Sequence, residues 1–180
     1  MVDVEQLKYP IGKFKRPRPI TGAIIVDWIR DIAAFPTQLK EAISDLDKEA
    51  FEWHYRPGGW TIKQVVHHCA DSHMNAFTRF KLASTEDNPT IKPYNEEAWA
   101  KQVDYLDAPI EESIMILEGL HARWSRLLMS FGPEEWPRTF LHPEYNRTFT
   151  MEINLGIYSW HSRHHLGHVK QAIDHKGMFS

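Results

Sequence analysis

Four long stretches of the chain carry apolar residues at helical spacing, separated by connections that do not. The first runs from about Gly22 to Leu46, with Ile25, Trp28, Ile29, Ile32, Leu39, Ile43 and Leu46 on one stripe. Pro36 lies inside it and predicts a kink or a break, because proline lacks an amide donor and crowds the preceding turn. The second begins at Thr61, after the turn Pro57-Gly58-Gly59, and reaches about Leu82. Its apolar side is Ile62, Val65, Val66, Cys69, Phe77 and Phe80. Thr61 and Gln64 stand at capping-box spacing, where each side chain satisfies the other's orphaned amide. The third runs from about Pro109 to Phe131, along Leu117, Leu120, Trp124, Leu127 and Phe131. Pro109, Glu111 and Glu112 suit a helix N-terminus, and Gly132-Pro133 ends the segment. The fourth covers about Met151 to Lys176 and is closed by Gly177.

Helices of this length predict an all-α, antiparallel-type four-helix bundle with long inter-helix loops, a scaffold whose facing side chains commonly build metal sites. Residues 47–60 form a short connection, whereas 84–108 and 132–150 are long, and long ordered loops often cover a site. A short helix is predicted around Asn95 to Gln102. A small hairpin is predicted from Thr139-Phe140-Leu141-His142-Pro143 to Thr148-Phe149-Thr150. With 180 residues, a single domain over 1–180 accounts for the whole pattern.

Composition narrows the function classes. A net charge of -3 provides no global basic field for nucleic acid, and Lys13, Lys15, Arg16 and Arg18 form a proline-broken run that reads as a solvated N-terminal arm. Seven Trp and nine Phe point to a tightly packed core or an aromatic-lined cleft. The single Cys69 excludes an internal disulfide and a cysteine-rich zinc module, and reads as a buried apolar thiol. No run approaches ~18 consecutive apolar residues and no signal-like leader precedes the first helix, so a soluble cytoplasmic protein is expected.

The informative chemistry is in the histidines. Of eleven, His67, His68, His161, His164, His165 and His168 fall on just two of the predicted helices. Imidazole is the commonest neutral nitrogen ligand for zinc and its neighbours. Two imidazoles four residues apart share a helix face and converge on one ion; His161 with His165 has this spacing, as does His164 with His168. Helical faces choose between them. Asn154, Tyr158, His161, His165, His168 and Ala172 form one stripe, with His164 beside it. On the second helix His68 belongs to the polar stripe Gln64, His68, Asp71, Ser72, Asn75 and Arg79, whereas His67 is rotated by about 100°. The expected site is therefore His68, His161 and His165 around one divalent ion, with a fourth position for water or substrate.

Other chemistries lack their motifs. Ser162, Arg163 and His164 fill the positions between His161 and His165, so the built-in glutamate base of H-E-x-x-H is missing. Glu118 and His121 give one E-x-x-H where a di-iron bundle needs two; Glu118 reads as a solvated face and His121 as a core-edge residue. No G-x-S-x-G elbow or P-loop occurs.

Two blocks of sequence are also familiar as a family pattern. One is Gly58-Gly59-Trp60-Thr61 through His67-His68-Cys69-Ala70-Asp71-Ser72-His73-Met74-Asn75 to Arg79-Phe80-Lys81-Leu82. The other is Leu155-Gly156-Ile157-Tyr158-Ser159-Trp160-His161 with His164-His165 and His168. With Tyr9-Pro10-Ile11-Gly12 ahead of them, nearly the whole chain resembles the YfiT-like metal-dependent hydrolases of the DinB superfamily, a group related to bacillithiol transferases. The resemblance implies a four-helix bundle, one zinc or nickel ion per subunit, a cytoplasmic homodimer, and ligands at His68, His161 and His165. Arg163 departs from it, standing where a member of that family has histidine, at a position that is no ligand.

Three activities fit such a centre. The first is hydrolysis of a small molecule by activated water. The second is transfer of a low-molecular-weight thiol of the bacillithiol or mycothiol type to an electrophile, with Trp60, Tyr94, Trp99, Trp124 and Trp160 available as apolar walls. The third is a non-enzymatic sensing module, disfavoured by the absence of an appended signalling segment. Asp71, three residues after His68, is placed to orient a ligand imidazole, to relay a proton, or to pair with a basic neighbour. His73, His164 and His168 are placed as supporting groups or hydrogen-bonded bystanders, and no acid or base is assigned.

Overall fold

The computed structural model describes residues 4–180. A five-residue helix, α1 (Val4–Lys8), precedes the first long helix, α2 (Gly22–Ile43). A 3-10 turn at Ala50–Glu52 leads to α3 (Ile62–Thr85), and two single-turn helices follow, α4 (Glu96–Trp99) and α5 (Val103–Leu106). Then come α6 (Ile110–Met129), the hairpin β1 (Thr139–His142) and β2 (Arg147–Thr150), and α7 (Met151–Asp174). The four long helices and the hairpin stand where periodicity puts them; α1, ahead of the basic run read as a solvated arm, was not foreseen. Lys13, Lys15, Arg16 and Arg18 are themselves exposed.

Caps fix where the helices begin. Thr61 accepts the Gln64 amide at 3.2 Å while the Gln64 side chain accepts the Thr61 amide at 3.0 Å, completing the capping box. The Gln64 side chain also donates from Nε2 to the Ala100 carbonyl at 3.0 Å, tying this start to the long loop. Thr21 and Thr150 cap α2 and α7 in the same manner. Beyond α7, Lys176 and Gly177 adopt left-handed backbone, the second at φ +73°, a conformation that glycine enters without strain.

Of the kink or break expected at Pro36, the break does not occur. α2 runs through it, and Phe35, Pro36 and Leu39 are all buried. Packing on both sides of the proline holds the helix together, overriding local propensity. The missing proline amide leaves the Ile32 carbonyl, four residues earlier, without its helical donor. His121 Nδ1 on α6 occupies that carbonyl at 2.5 Å.

α2 and α3 each pack against both α6 and α7, so α2 lies diagonally across from α3, and α6 across from α7. Chain-consecutive helices are thus diagonal partners in two of three cases, which accounts for the lengths of 44–61 and 130–150: each must cross the bundle end. The hairpin is antiparallel, pairing Thr139 with Thr150 and Phe140 with Phe149, and runs directly into α7. A bridge between Thr90 and Leu141 fastens the other long loop to it.

The core is divided. Phe35, Leu39, Val65, Val66, Cys69, Leu117 and Val169 belong to one apolar cluster, and Ile32, Ala76, Phe80, Trp124, Leu128 and Leu155 to another. On α3, α6 and α7 the residues between the clusters include His73, His121 and His161. A layer of imidazoles therefore separates the halves.

At the α2–α7 contact, Gly156 meets the ring of Trp28 so closely that an added Cβ would stand 2.7 Å from Cη2. Gly156→Ala is expected to destabilise the protein by about 1–3 kcal/mol, since the buried indole has little room to retreat. Chemical denaturation measures this, and an unchanged midpoint would mean that the helices separate freely here.

Candidate metal centre

α3 supplies His68 and α7 supplies His161 and His165, one helical turn apart. One ring nitrogen from each lies within 4.8 Å of the others. His68 Nε2 and His161 Nε2 are 3.2 Å apart, close to the ~3.3 Å edge of a tetrahedron built on zinc–nitrogen bonds of about 2.0–2.1 Å. The Trp60 ring covers His68 from outside, its centroid 4.8 Å away. Ser72 Oγ, one turn along α3 from His68, lies 3.5 Å from His161 Nε2.

Burial sets the charge state of these rings. It pushes His68 down to about 3, helped by the field of His164. It drives His161 and His165 well below the ordinary imidazole range, with neighbouring histidines adding to the effect. All three are neutral at physiological pH and carry a lone pair, as metal coordination requires. Among the described residues no carboxylate or cysteine joins the group, and His68 Nδ1 is buried without a partner. Three neutral nitrogens from two rigid helices fit a divalent ion of borderline softness such as zinc or nickel.

The surrounding histidines divide into those that touch the triad and those that do not. His73 Nε2 lies 3.0 Å from His161 Nδ1, and His73 Nδ1 lies 2.8 Å from His121 Nε2. His168 Nδ1 lies 3.4 Å from His165 Nδ1, and its Nε2 is 3.1 Å from the Lys8 carbonyl. By contrast His67 turns away to Ser113 Oγ at 2.8 Å, and His164 meets the triad only edge-on, its ring centroid 5.1 Å from that of His165, while it stacks on Trp160. Asp71 neither orients a ligand ring nor pairs with a base; it accepts the Tyr105 hydroxyl at 2.7 Å, because α5 folds over that side of α3. His121, expected at the core edge, is 1% exposed, and Glu118 is the surface residue expected, paired with Lys40 at 2.8 Å. Cys69 is buried and its thiol is pushed up by burial alone.

A cleft of about 180 Å³ opens beside the triad, with His161 and Ser72 in its wall. Tyr94, Phe140, Tyr145 and Phe149 from the two long connections form aromatic sides. Arg79 and Asn154 contribute polar groups. Arg79 makes no ion pair among the described residues; it donates to the Tyr158 hydroxyl at 3.4 Å, and its Nε is buried without a partner. Asn154, 4% exposed, also has an unpartnered Nδ2. Arg79 and Asn154 shared stripes with His68 and with His161 in the sequence, but nothing local aimed them at one space.

The depressed imidazoles make the metal-free fold sensitive to acid. Their folded values lie below the unfolded value of about 6.5, so the unfolded chain binds more protons under mild acid. Stability is then complete above about pH 6.5 and falls as pH drops toward the folded values, about 4 for His121 and about 3 for His168. Each such ring withdraws up to about 1.4 kcal/mol per pH unit. Thermal unfolding of metal-free protein should shift downward by many degrees between pH 7 and 5; a flat Tm would contradict neutral burial.

Comparison with known proteins agrees with the bundle. Residues 32–169 match the model of the DinB superfamily. A protein of Oceanobacillus iheyensis, provisionally named a metal-dependent hydrolase, is 48% identical over 169 residues, covering 94% of this chain and 97% of its own. One of Bacillus cereus with the same provisional name is 49% identical over 166 residues, covering 92% and 95%. Among solved structures, YfiT from Bacillus subtilis, described as a probable metal-dependent hydrolase with an unusual four-helix bundle topology, superposes with a TM-score of 0.92. It is 40% identical and covers 96% of this chain and 98% of its own. The matched segment holds all three convergent histidines and spans most of the chain, which therefore belongs to the DinB superfamily.

Proposed function

We propose that this protein is a metal-dependent hydrolase of small molecules, with His68, His161 and His165 as the ligands of one divalent ion, zinc in the first instance. The observation that carries this reading is the convergence of three neutral imidazole nitrogens, one of them on His161 in the wall of a cleft. The provisional names of the relatives and of YfiT support it. An ion bound there supplies a Lewis acid with an open position, which acidifies bound water and polarises a carbonyl or phosphoryl oxygen.

The chain's own residues do the rest. His68, His161 and His165 hold the ion on helices rather than loops, so their positions change little as substrate enters. Arg79 and Asn154 offer unsatisfied donors to a substrate oxygen, favouring a substrate that bears a carboxylate or another oxyanion. Glu96 on the same wall feels the Arg79 charge without forming an ion pair, and burial holds its carboxyl above the usual range. The aromatic sides desolvate the remainder of the substrate.

Purified zinc-loaded protein tested against carboxylated esters and amides should hydrolyse at least one class. Conjugation that requires an added low-molecular-weight thiol and an electrophile would overturn hydrolysis in favour of thiol transfer. His68→Ala, His161→Ala and His165→Ala should each lower bound zinc from about one per chain to near zero, whereas His164→Ala should retain it. Loss in His164→Ala with retention in His165→Ala would refute the ligand set. Arg79→Met should keep its zinc and raise KM for the anionic substrate roughly 10- to 100-fold, the worth of a hydrogen bond to a charged group. An unchanged KM would remove Arg79 from substrate binding.

A further inference from the structure

A neutral imidazole can carry its proton on either nitrogen, and only the unprotonated one binds metal. Two chains of contacts, each ending on a backbone carbonyl, decide the matter here. The Ile32 carbonyl only accepts, so His121 Nδ1 donates to it at 2.5 Å. His121 has then spent its proton, and its Nε2 accepts at 2.8 Å from His73 Nδ1. His73 Nε2 is consequently an acceptor, and takes the proton of His161 Nδ1 at 3.0 Å. Three rings bring three protons to three contacts, and the count closes. What remains on His161 is a lone pair on Nε2, the atom that faces His68.

The second chain is shorter and obeys the same logic. The Lys8 carbonyl accepts from His168 Nε2 at 3.1 Å, so His168 Nδ1 is a lone pair and accepts from His165 Nδ1 at 3.4 Å. His165 is likewise left with an unprotonated Nε2. Burial, which keeps His121 and His168 neutral, supports the one-proton count. The first chain takes one group from each long helix: His161 from α7, His73 from α3, His121 from α6 and the Ile32 carbonyl from α2. That carbonyl is available because Pro36 has no amide to occupy it.

We propose that these two carbonyl-terminated relays, His73–His121–Ile32 and His168–Lys8, lock His161 and His165 in the Nδ1–H tautomer, so that both present Nε2 lone pairs to the ion before it arrives. His73, His121 and His168 are positioning residues. The inference rests on reading His161 and His165 as ligands. It goes beyond that reading by fixing which nitrogen binds and what holds it.

The test is the tautomer itself, read in metal-free ¹⁵N-labelled protein by two-bond proton–nitrogen correlations across the imidazole rings. His161, His165, His73 and His121 should carry the proton on Nδ1, against the preference of free imidazole, and His168 on Nε2. His121→Phe touches no ligand, yet should release His161 to the Nε2–H form. In chelator competition, His73→Phe and His168→Phe should each weaken zinc binding roughly 10- to 100-fold, as loss of a ligand's supporting partner does. His73→Gln, with an oxygen to accept from His161 and an amide to donate to His121, should restore the Nδ1–H form and most of the affinity. Nε2–H at His161 or His165 in the wild type overturns the proposal. So does an unchanged His161 tautomer in His121→Phe. Should a variant fail to fold, the wild-type spectrum alone decides. Failure of the ligand reading is recognised separately, by wild-type protein that takes up no zinc while the tautomers stand as assigned.

Discussion

A neutral imidazole brings one proton and one lone pair, and in the middle of this bundle neither can go to water. A run of such rings is satisfied only where each meets a neighbour of opposite kind and the series ends on something that only donates or only accepts. The backbone carbonyls of Ile32 and Lys8 are those ends. The rest of the core is arranged around this requirement. Apolar clusters fill the space to either side, and each long helix meets the layer between them with a polar group. An unmatched ring in this layer would forfeit a hydrogen bond in a low dielectric, costing on the order of 1–3 kcal/mol.

Helix order matters as much as helix faces. Because α3 and α7 are neighbours rather than diagonal partners, His68 can meet His161 and His165 across a single contact. Long connections, one a diagonal crossing from α6 to α7 and one joining the neighbours α3 and α6, shape the approach to the site. The hairpin before α7 and the loop before α6 bring Phe140, Phe149, Tyr94 and Tyr145 to the cleft beside His161. The rigid helices hold the imidazoles, while segments that tolerate sequence change shape what reaches them.

Much of this was readable along the chain. Periodicity gave the four helices, the Thr61–Gln64 pair gave the firmest boundary, and helical faces selected the three histidines that converge. What escaped was relational. His73 was placed as a supporting group or a bystander, but five residues from His68 and about 140° around the helix it gave no sign of which ring it would meet; it reaches His161 from the opposite side of the ring. His121 sits in a lone E-x-x-H that signals nothing without its distant partners. Asp71 had the spacing of a supporting carboxylate, yet α5 carried Tyr105 to it instead. Local patterns report which face a residue occupies. They do not report which helix that face meets, and here neighbouring helices are mostly not consecutive ones.

Pro36 shows how a local fault becomes a structural resource. By every rule of helix design it is a defect, and replacing a proline in a helix interior is among the first substitutions chosen to raise thermal stability. In this chain the repair would restore an amide aimed at the Ile32 oxygen, setting it in competition with His121 for the same acceptor. Stability gained in α2 would be drawn from the order of protons four residues and three helices away. Engineering for heat resistance and engineering for metal affinity therefore pull on one carbonyl in opposite directions, and a variant library scored only on melting temperature would select against the second without detecting it.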